Sequence, residues 1–353
     1  GRGIDQVLPH SGDPTLYEPF VRDARGYVEL AESVNGPIPK PVDFSYIWGD
    51  ALAELERVEP DLMLINLETA VTTSDERWNK GIHYRMHPGN IPCLTVARID
   101  VCSLSNNHVL DWGYSGLIET LEALSGVKVE GVGAGRTLEE AEAPVWREVN
   151  GQGRVVVFSY GLKTSGIPSD WAATDERPGV NLLEDLSEST VGSIKKKIEG
   201  VTEPEDLVVV SLHWGGNWGY AIPPRQIRLA HQLVEDAGVD VIHGHSSHHV
   251  KGIEVYRGGL ILYGCGDFLT DYEGIKGHEA FRPDLSLMYF ANLEPSTGEL
   301  THLRMVPTQV KRFRVNRGSR DDAVWLRDML NRESSRFGTQ ARLNEDGTLT
   351  LEW

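Results

Sequence analysis

The feature that most constrains this chain is a series of short, nearly unbroken apolar runs, at residues 62–67, 101–104, 154–158, 207–212 and 239–242, bounded by Gly, Pro, Asn and Asp. Runs of this length with such boundaries read as strands buried on both faces, because a helix or a half-exposed strand would interleave polar residues. Between them, residues 114–124 and 225–237 place apolar side chains at i, i+3 and i+4, the spacing of one helical face. Strands alternating with helices predict an α/β fold. Later runs at 252–256, 260–263 and 285–290 follow one another through short turns, which predicts an antiparallel portion and therefore mixed sheets.

With 353 residues, 40% of them hydrophobic, the chain can bury one large core or two modest ones. Residues 1–310 are expected to form the main domain. The polar helix expected at 321–333 and the charged residues after it would make 311–353 an appendage and tail outside the core. Residues 10–41, rich in Gly, Pro and charge, read as a long loop or irregular insertion. The net charge of −18 argues against nucleic acid and anionic lipid as partners, since phosphate binding needs Lys and Arg. No run approaches the roughly 18 apolar residues of a membrane helix, and no leader pattern opens the chain as given, so a cytoplasmic location is expected. Three cysteines, Cys93, Cys102 and Cys265, make no disulfide framework.

Polar residues able to bind metal follow the apolar runs, and the ends of strands are where open α/β sheets bind ligands. Asn66 and Glu68 close the first run on one face of the strand. Ser105-Asn106-Asn107-His108-Val109-Leu110-Asp111 follows the second; Asn107 and Asp111 would also serve simply as caps. His213, followed by Trp214 and Gly215, ends the fourth run, where a lone histidine is more often structural. After the fifth come His243, His245, His248 and His249, with Gly244 expected to turn the backbone and aim His245 inward. Tyr263-Gly264-Cys265-Gly266-Asp267 adds a further carboxylate. A mixed oxygen and nitrogen donor set suits Mn, Fe, Zn or Ca rather than a thiolate metal. An ion so held would acidify a bound water or polarise a carbonyl, with a nearby His moving protons.

At Asn66-Leu67-Glu68, residues 80–88, 103–113, His213-Trp214-Gly215, 244–249 and 263–268, the chain resembles the CapA or poly-γ-glutamate synthesis family, a branch of the metallophosphatase superfamily. The resemblance implies a four-layer α-β-β-α sandwich with a metal cleft at the strand ends. It implies Glu68, Asn107, His213 and His245 as metal ligands and His248 as a fifth candidate. It also implies His108 as an acid standing behind the ligands, with Asp111, Asp267 and His248 sharing the acid–base work. Asn66, Arg85 and Trp214 would face the substrate. The chain departs from the common pattern in His245-Ser246-Ser247-His248-His249 and in Gly264-Cys265-Gly266-Asp267-Phe268. It also begins at the Gly1-Arg2 pair that an aspartate-bearing strand precedes in the family.

The expected function is therefore a metal-dependent acid–base enzyme acting on a peptide or γ-glutamyl substrate. An epimerase of a ribosomal, lasso-type peptide is the favoured form. The alternatives are a phosphoesterase and a non-catalytic capsule-assembly protein.

Overall fold

The computed structural model describes residues 1–149 and 153–353. Two sheets form its centre. The smaller is parallel throughout, with Val101–Ser103 between Leu64–Asn66 and Glu130–Val132. The larger has seven strands. Arg154–Leu162, Leu207–His213, Val241–His245 and Gly259–Leu262 run parallel in that order, and Ile253–Tyr256 and Val145–Glu148 join antiparallel. The apolar runs are therefore strands, and the sheet is mixed for the reason expected: the later strands are joined by turns too short for a crossover.

Alternation along the strands assigns each face. Val101, Val132, Val157 and Val209 meet between the two sheets in a thin valine layer. On the outer side of the small sheet, Cys102 and Leu104 pack with Leu117 and Leu124 of helix Gly113–Gly126. On the outer side of the large sheet, Val156, Phe158, Val208 and Val210 pack against Val191 and Ile194 of helix Glu188–Glu199 and Leu229 and Leu233 of helix Pro224–Ala237. The order is helix, sheet, sheet, helix: the four-layer α/β sandwich. Residues 10–41 are not a structureless insertion, since they contain helix Arg25–Asn35, whose Val28 and Ala31 enter the core.

The C-terminal residues correct the expected division at 310. That boundary falls inside strand Leu300–Lys311, which belongs to a five-stranded antiparallel sheet. The last strand, Leu349–Glu352, pairs with both Leu300–Lys311 and Gln340–Leu343. Helix Arg320–Ser334 buries Leu326, Met329 and Leu330 against Leu260, Leu262 and Leu303. Its apolar stripe is narrow and its other faces are charged, which is why the segment reads as polar in sequence. Residues 311–353 are part of the core.

Leu330 is 0% exposed. Leu330→Ala is expected to cost about 2–5 kcal/mol in a urea melt. Deleting 311–353 should leave a chain that aggregates; a soluble, cooperatively melting truncation would restore the appendage reading.

Candidate functional site

The site begins as a change in what fills the gap between the sheets. In the parallel ladder, Ser211 lies opposite His243 and His213 opposite His245, so all four side chains share the face of Val209 and Val241. Toward the strand C-termini the filling thus passes from valine to serine and histidine. Ser103 and Ser159 hydroxyls bond across the gap at 2.7 Å. Small residues let the sheets close here. At Gly133, with φ +89, an added Cβ would lie 2.5 Å from the Ser159 hydroxyl and 2.6 Å from that of Ser105.

From this layer a hydrogen-bonded chain leads outward. Ser211 Oγ lies 3.0 Å from His243 Nδ1 and 2.8 Å from His245 Nε2. His245 Nδ1 lies 2.7 Å from His213 Nδ1. His213 Nε2 then sits 3.1 Å from Asn107 Oδ1 and 3.9 Å from Glu68 Oε1. Burial holds His213 and His245 well below the usual imidazole range and His243 down at about 4, so all three are neutral at pH 7. Gly244 does not make the expected turn. It stays in the strand, where a Cβ would meet the Leu262 carbonyl at 2.4 Å and the Trp214 indole nitrogen at 2.8 Å. The turn falls at Ser246, a non-glycine residue held at φ 98 with its hydroxyl donating to the Gly215 carbonyl at 3.0 Å. Backbone strain of this kind concentrates at functional sites.

Glu68 occupies the floor of a small cavity of about 80 Å³, which Tyr84, His248, Asp267 and Tyr272 also line. Asn66 donates to its Oε2 at 2.8 Å, and Asn106 donates to Asn66 Oδ1 at 3.1 Å, so the carboxylate is aimed by two amides in series. Burial pushes the Glu68 carboxyl up to about 7. His248 Nδ1 is 3.0 Å from both oxygens of Asp267. Burial alone would lower that imidazole, but Asp267, and then Glu68, raise it to about 9.

A second imidazole–carboxylate pair stands beside the first. His108 Nδ1 is 2.6 Å from Asp111 Oδ2, which also accepts from the Tyr84 amide at 2.6 Å. Lys80 donates to Asp111 Oδ1 at 2.6 Å and to the Asn107 carbonyl. Burial, and after it the Lys80 charge, hold His108 well below its ordinary value, so this imidazole is neutral. The Tyr84 ring stacks on His108 at 3.8 Å, the Tyr272 ring meets His248 edge-on at 5.1 Å, and the two tyrosine hydroxyls are hydrogen-bonded.

The structure therefore brings Glu68, Asn107, His213, His248, Asp267, His108 and Asp111 to one end of the sandwich. Four expectations are corrected. His245 uses both ring nitrogens on Ser211 and His213 and stands behind His213 rather than beside Glu68. Trp214 points to the helix side of the sheet, where its indole donates to the Tyr263 carbonyl; strand alternation puts it opposite His213. Arg85 is spent on the Ser74 and Asp13 carbonyls and the Trp112 face, away from the cavity. Asn66 aims Glu68 instead of presenting a free amide to the cleft. Among the described residues no group of three or more His, Cys, Asp and Glu side chains has metal-ligand spacing. What converges is one carboxylate, one amide oxygen and one imidazole, from Glu68, Asn107 and His213.

Sequence reasoning missed Lys80, Tyr84, Tyr272 and the anchor behind them. Arg2, 4% exposed, bonds Glu18 at 2.7 Å, Asp271 at 2.8 Å and the Tyr27 hydroxyl at 2.7 Å. Lys80 and Tyr84 lie within the 80–88 stretch, but nothing in its pattern says which residues turn inward.

Residues 1–272 match the family described as bacterial capsule synthesis protein PGA_cap. The chain belongs to that family. It is 48% identical over 353 residues to a probable polyglutamine synthesis accessory protein of Mycobacterium tuberculosis, covering 99% of this chain and 93% of the relative. It is also 32% identical over 211 residues to the capsule biosynthesis protein CapA of Bacillus anthracis, covering 58% of this chain and 49% of that one. A CapA of Bacillus subtilis, a PGA biosynthesis protein, is 31% identical over 215 residues, 60% of this chain and 53% of the relative. Every strand end that carries the site lies within the PGA_cap match, whereas the buried C-terminal helix and hairpin lie beyond it. No helix among the described residues is long and apolar enough to cross a membrane.

The Arg2 anchor sets an acid limit on stability. Burial pushes the Asp271 carboxyl up, but the Arg2 guanidinium more than offsets this and leaves it below the usual carboxylate range. Its contribution is present above the unfolded value of about 3.9 and is lost as pH falls through the folded one. Melting temperature is expected to drop on acidification below about pH 4. In Asp271→Asn that limb should be shallower, on a protein already less stable at pH 7. An unchanged acid limb would remove the anchor from the account.

Proposed function

We propose that this PGA_cap protein is an acid–base enzyme acting on a γ-glutamyl or peptide substrate, moving a proton off and onto a carbon beside a carbonyl. The observation that carries the reading is the pair of imidazole–carboxylate dyads, His108–Asp111 and His248–Asp267, each against one ring of the bonded Tyr84–Tyr272 pair, with Glu68 in the cavity that these tyrosines line together with His248 and Asp267. Two like groups whose surroundings hold one neutral and the other cationic are suited to opposite halves of a proton exchange. In this reading Asp111 holds the His108 Nδ1–H, leaving Nε2 to accept the substrate proton. His248, held by Asp267, returns one from the other side. Epimerisation at a Cα follows from that arrangement. The names of the relatives, which speak of polyglutamine synthesis, capsule and PGA biosynthesis, favour a glutamyl substrate.

Glu68, Asn107 and His213 fit a divalent ion such as Mn, Fe, Zn or Ca. Their oxygen and nitrogen atoms converge, and burial, which pushes the Glu68 carboxyl up, disfavours a carboxylate that an ion there would stabilise. When bound there, the ion would polarise a substrate carbonyl or carboxylate and raise the acidity of the neighbouring C–H. His245 orients His213, and Asn66 orients Glu68.

The test is deuterium uptake. A γ-glutamate oligomer or a short peptide incubated in D₂O with each metal should gain label at Cα without other change of mass. His108→Asn and His248→Asn should each slow uptake by about 10²–10⁴-fold. Phosphate release from a phosphoester with no Cα label would replace this reading with a phosphoesterase. Binding without either reaction would leave a capsule-assembly scaffold.

Metal content gives a separate check. Elemental analysis after dialysis should find one ion per chain, absent in Glu68→Ala and His213→Ala. In His245→Ala it should be held about 10–100-fold more weakly. No uptake by wild type would remove the ion while leaving the two dyads to be tested by exchange.

A further inference from the structure

Two tyrosines in the wall of the Glu68 cavity have no task in the acid–base reading. Tyr84 and Tyr272 both line it, together with His248 and Asp267. Their hydroxyls are hydrogen-bonded to each other, and among the described residues neither has another partner. Burial raises both phenols, so each keeps its hydrogen at pH 7. Two hydroxyls thus carry two hydrogens, and the bond between them uses one. The other is a donor without an acceptor in a largely buried place, since Tyr84 is 8% exposed. An unmatched donor of this kind costs about 1–3 kcal/mol, and phenylalanine at both positions would fill the space without that cost.

The pair is held rigidly and beside both dyads. The Tyr84 amide donates to Asp111 Oδ2 at 2.6 Å, and its ring stacks on His108 at 3.8 Å. Tyr272 sits between two clamped carboxylates. Asp271 accepts from Arg2 at 2.8 Å, and Glu273 accepts from the Arg312 and Phe313 amides at 2.7 and 3.0 Å. The Arg2 guanidinium lies 4.8 Å from the centre of the Tyr84 ring and 5.6 Å from that of Tyr272, and the Tyr272 ring meets His248 edge-on at 5.1 Å. After burial, the Asp267 charge is what raises the Tyr272 phenol most, which puts this hydroxyl on the part of the wall that Asp267 shares. Glu68 and Asp267, in the same wall, are acceptors when ionised, so a substrate oxygen entering the cavity needs a donor.

We propose that the Tyr84–Tyr272 pair donates a hydrogen bond to the substrate carbonyl oxygen that becomes negative when the Cα proton leaves. This role rests on the acid–base reading of the site and names the group that meets the charge which that reading creates. The Cα–H bond breaks and its proton passes to His108 Nε2. Its electron pair forms a double bond between Cα and the carbonyl carbon, and the carbonyl π pair moves onto oxygen. The tyrosine hydrogen stays on its own oxygen and bonds the oxyanion more strongly than the carbonyl. When His248 returns a proton to Cα, the electrons move back, and exchange with water resets the two imidazoles. A donor fixed before the charge appears needs no reorganisation, which is what makes it effective. The substrate oxygen has two lone pairs, so this bond is compatible with an ion held at Glu68.

The test is the rate of Cα labelling of a γ-glutamate decamer in D₂O by Tyr84→Phe, Tyr272→Phe and the double variant, which keep both rings. The double variant should lower kcat and kcat/KM alike by about 10²–10³-fold, the mark of a bond made only in the transition state. Each single variant keeps one hydroxyl without the partner that aims it, and should be slower by roughly tenfold. Melting temperature and metal content should stay at wild-type values. Thr270 also lines the cavity, and Thr270→Val should label at the wild-type rate. A rise in KM with kcat unchanged would make the pair a contact of the ground state and overturn the proposal. Slowing that tracks a lower melting temperature or lost metal would make its role structural and overturn it too. Wild-type rates in all three tyrosine variants, or a loss in Thr270→Val equal to that of the double variant, would overturn this role alone. No labelling by wild type would remove the proton-exchange reading and the donor with it.

Discussion

The site depends on the packing of two sheets face to face, with the inner layer changing character along the strands. Near the strand starts the layer is valine, and the sheets are held by burial alone. A few residues on, serine and histidine take the same inward positions in the same register. Burying these groups is tolerable because each hydroxyl and imidazole in the layer is bonded to the next, from Ser211 through His245 to His213. The polar layer is therefore both the edge of the core and the floor of the site. A one-residue slip of the His213 strand would turn Leu212 and Trp214 into the gap and send His213 to the helices.

The two imidazole–carboxylate pairs sit above this layer on loops, and the loops are anchored by charge. Arg2 is clamped by Glu18 and Asp271 and lies over the Tyr27 ring at 3.8 Å. Tyr84 and Tyr272 lie beside it, and their rings contact the His108 and His248 imidazoles. Each dyad thus has a carboxylate on its nitrogen and an aromatic ring on its side, which restricts imidazole rotation.

Much of this was legible in the sequence. The strands were marked by continuous apolar runs, and Asn66, Glu68, Asn107, His213 and His248 were marked by their place immediately after those runs. What misled was treating every polar residue near a strand end as facing the cleft. Trp214 and His213 are adjacent, so alternation sends them to opposite faces. Arg85 is within a stretch that reaches the site, yet its guanidinium finds backbone carbonyls and an indole face first. His245 has the residue type of a ligand, but its register opposite His213 makes it a support.

By itself the sequence determined the strands, the helices and the mixed α/β class, since run length, helical spacing and turn residues are local properties written in the chain; the four-layer order was implied only by the family resemblance. It also determined the family, through motifs of fixed spacing. Only the tertiary structure decided which side chains share a cavity, because that depends on register between strands more than thirty residues apart, as with Ser211 and His243. It likewise decided that the last forty-odd residues are core, because a helix with a narrow apolar stripe is recognised as buried only when the sheet that covers it is in view.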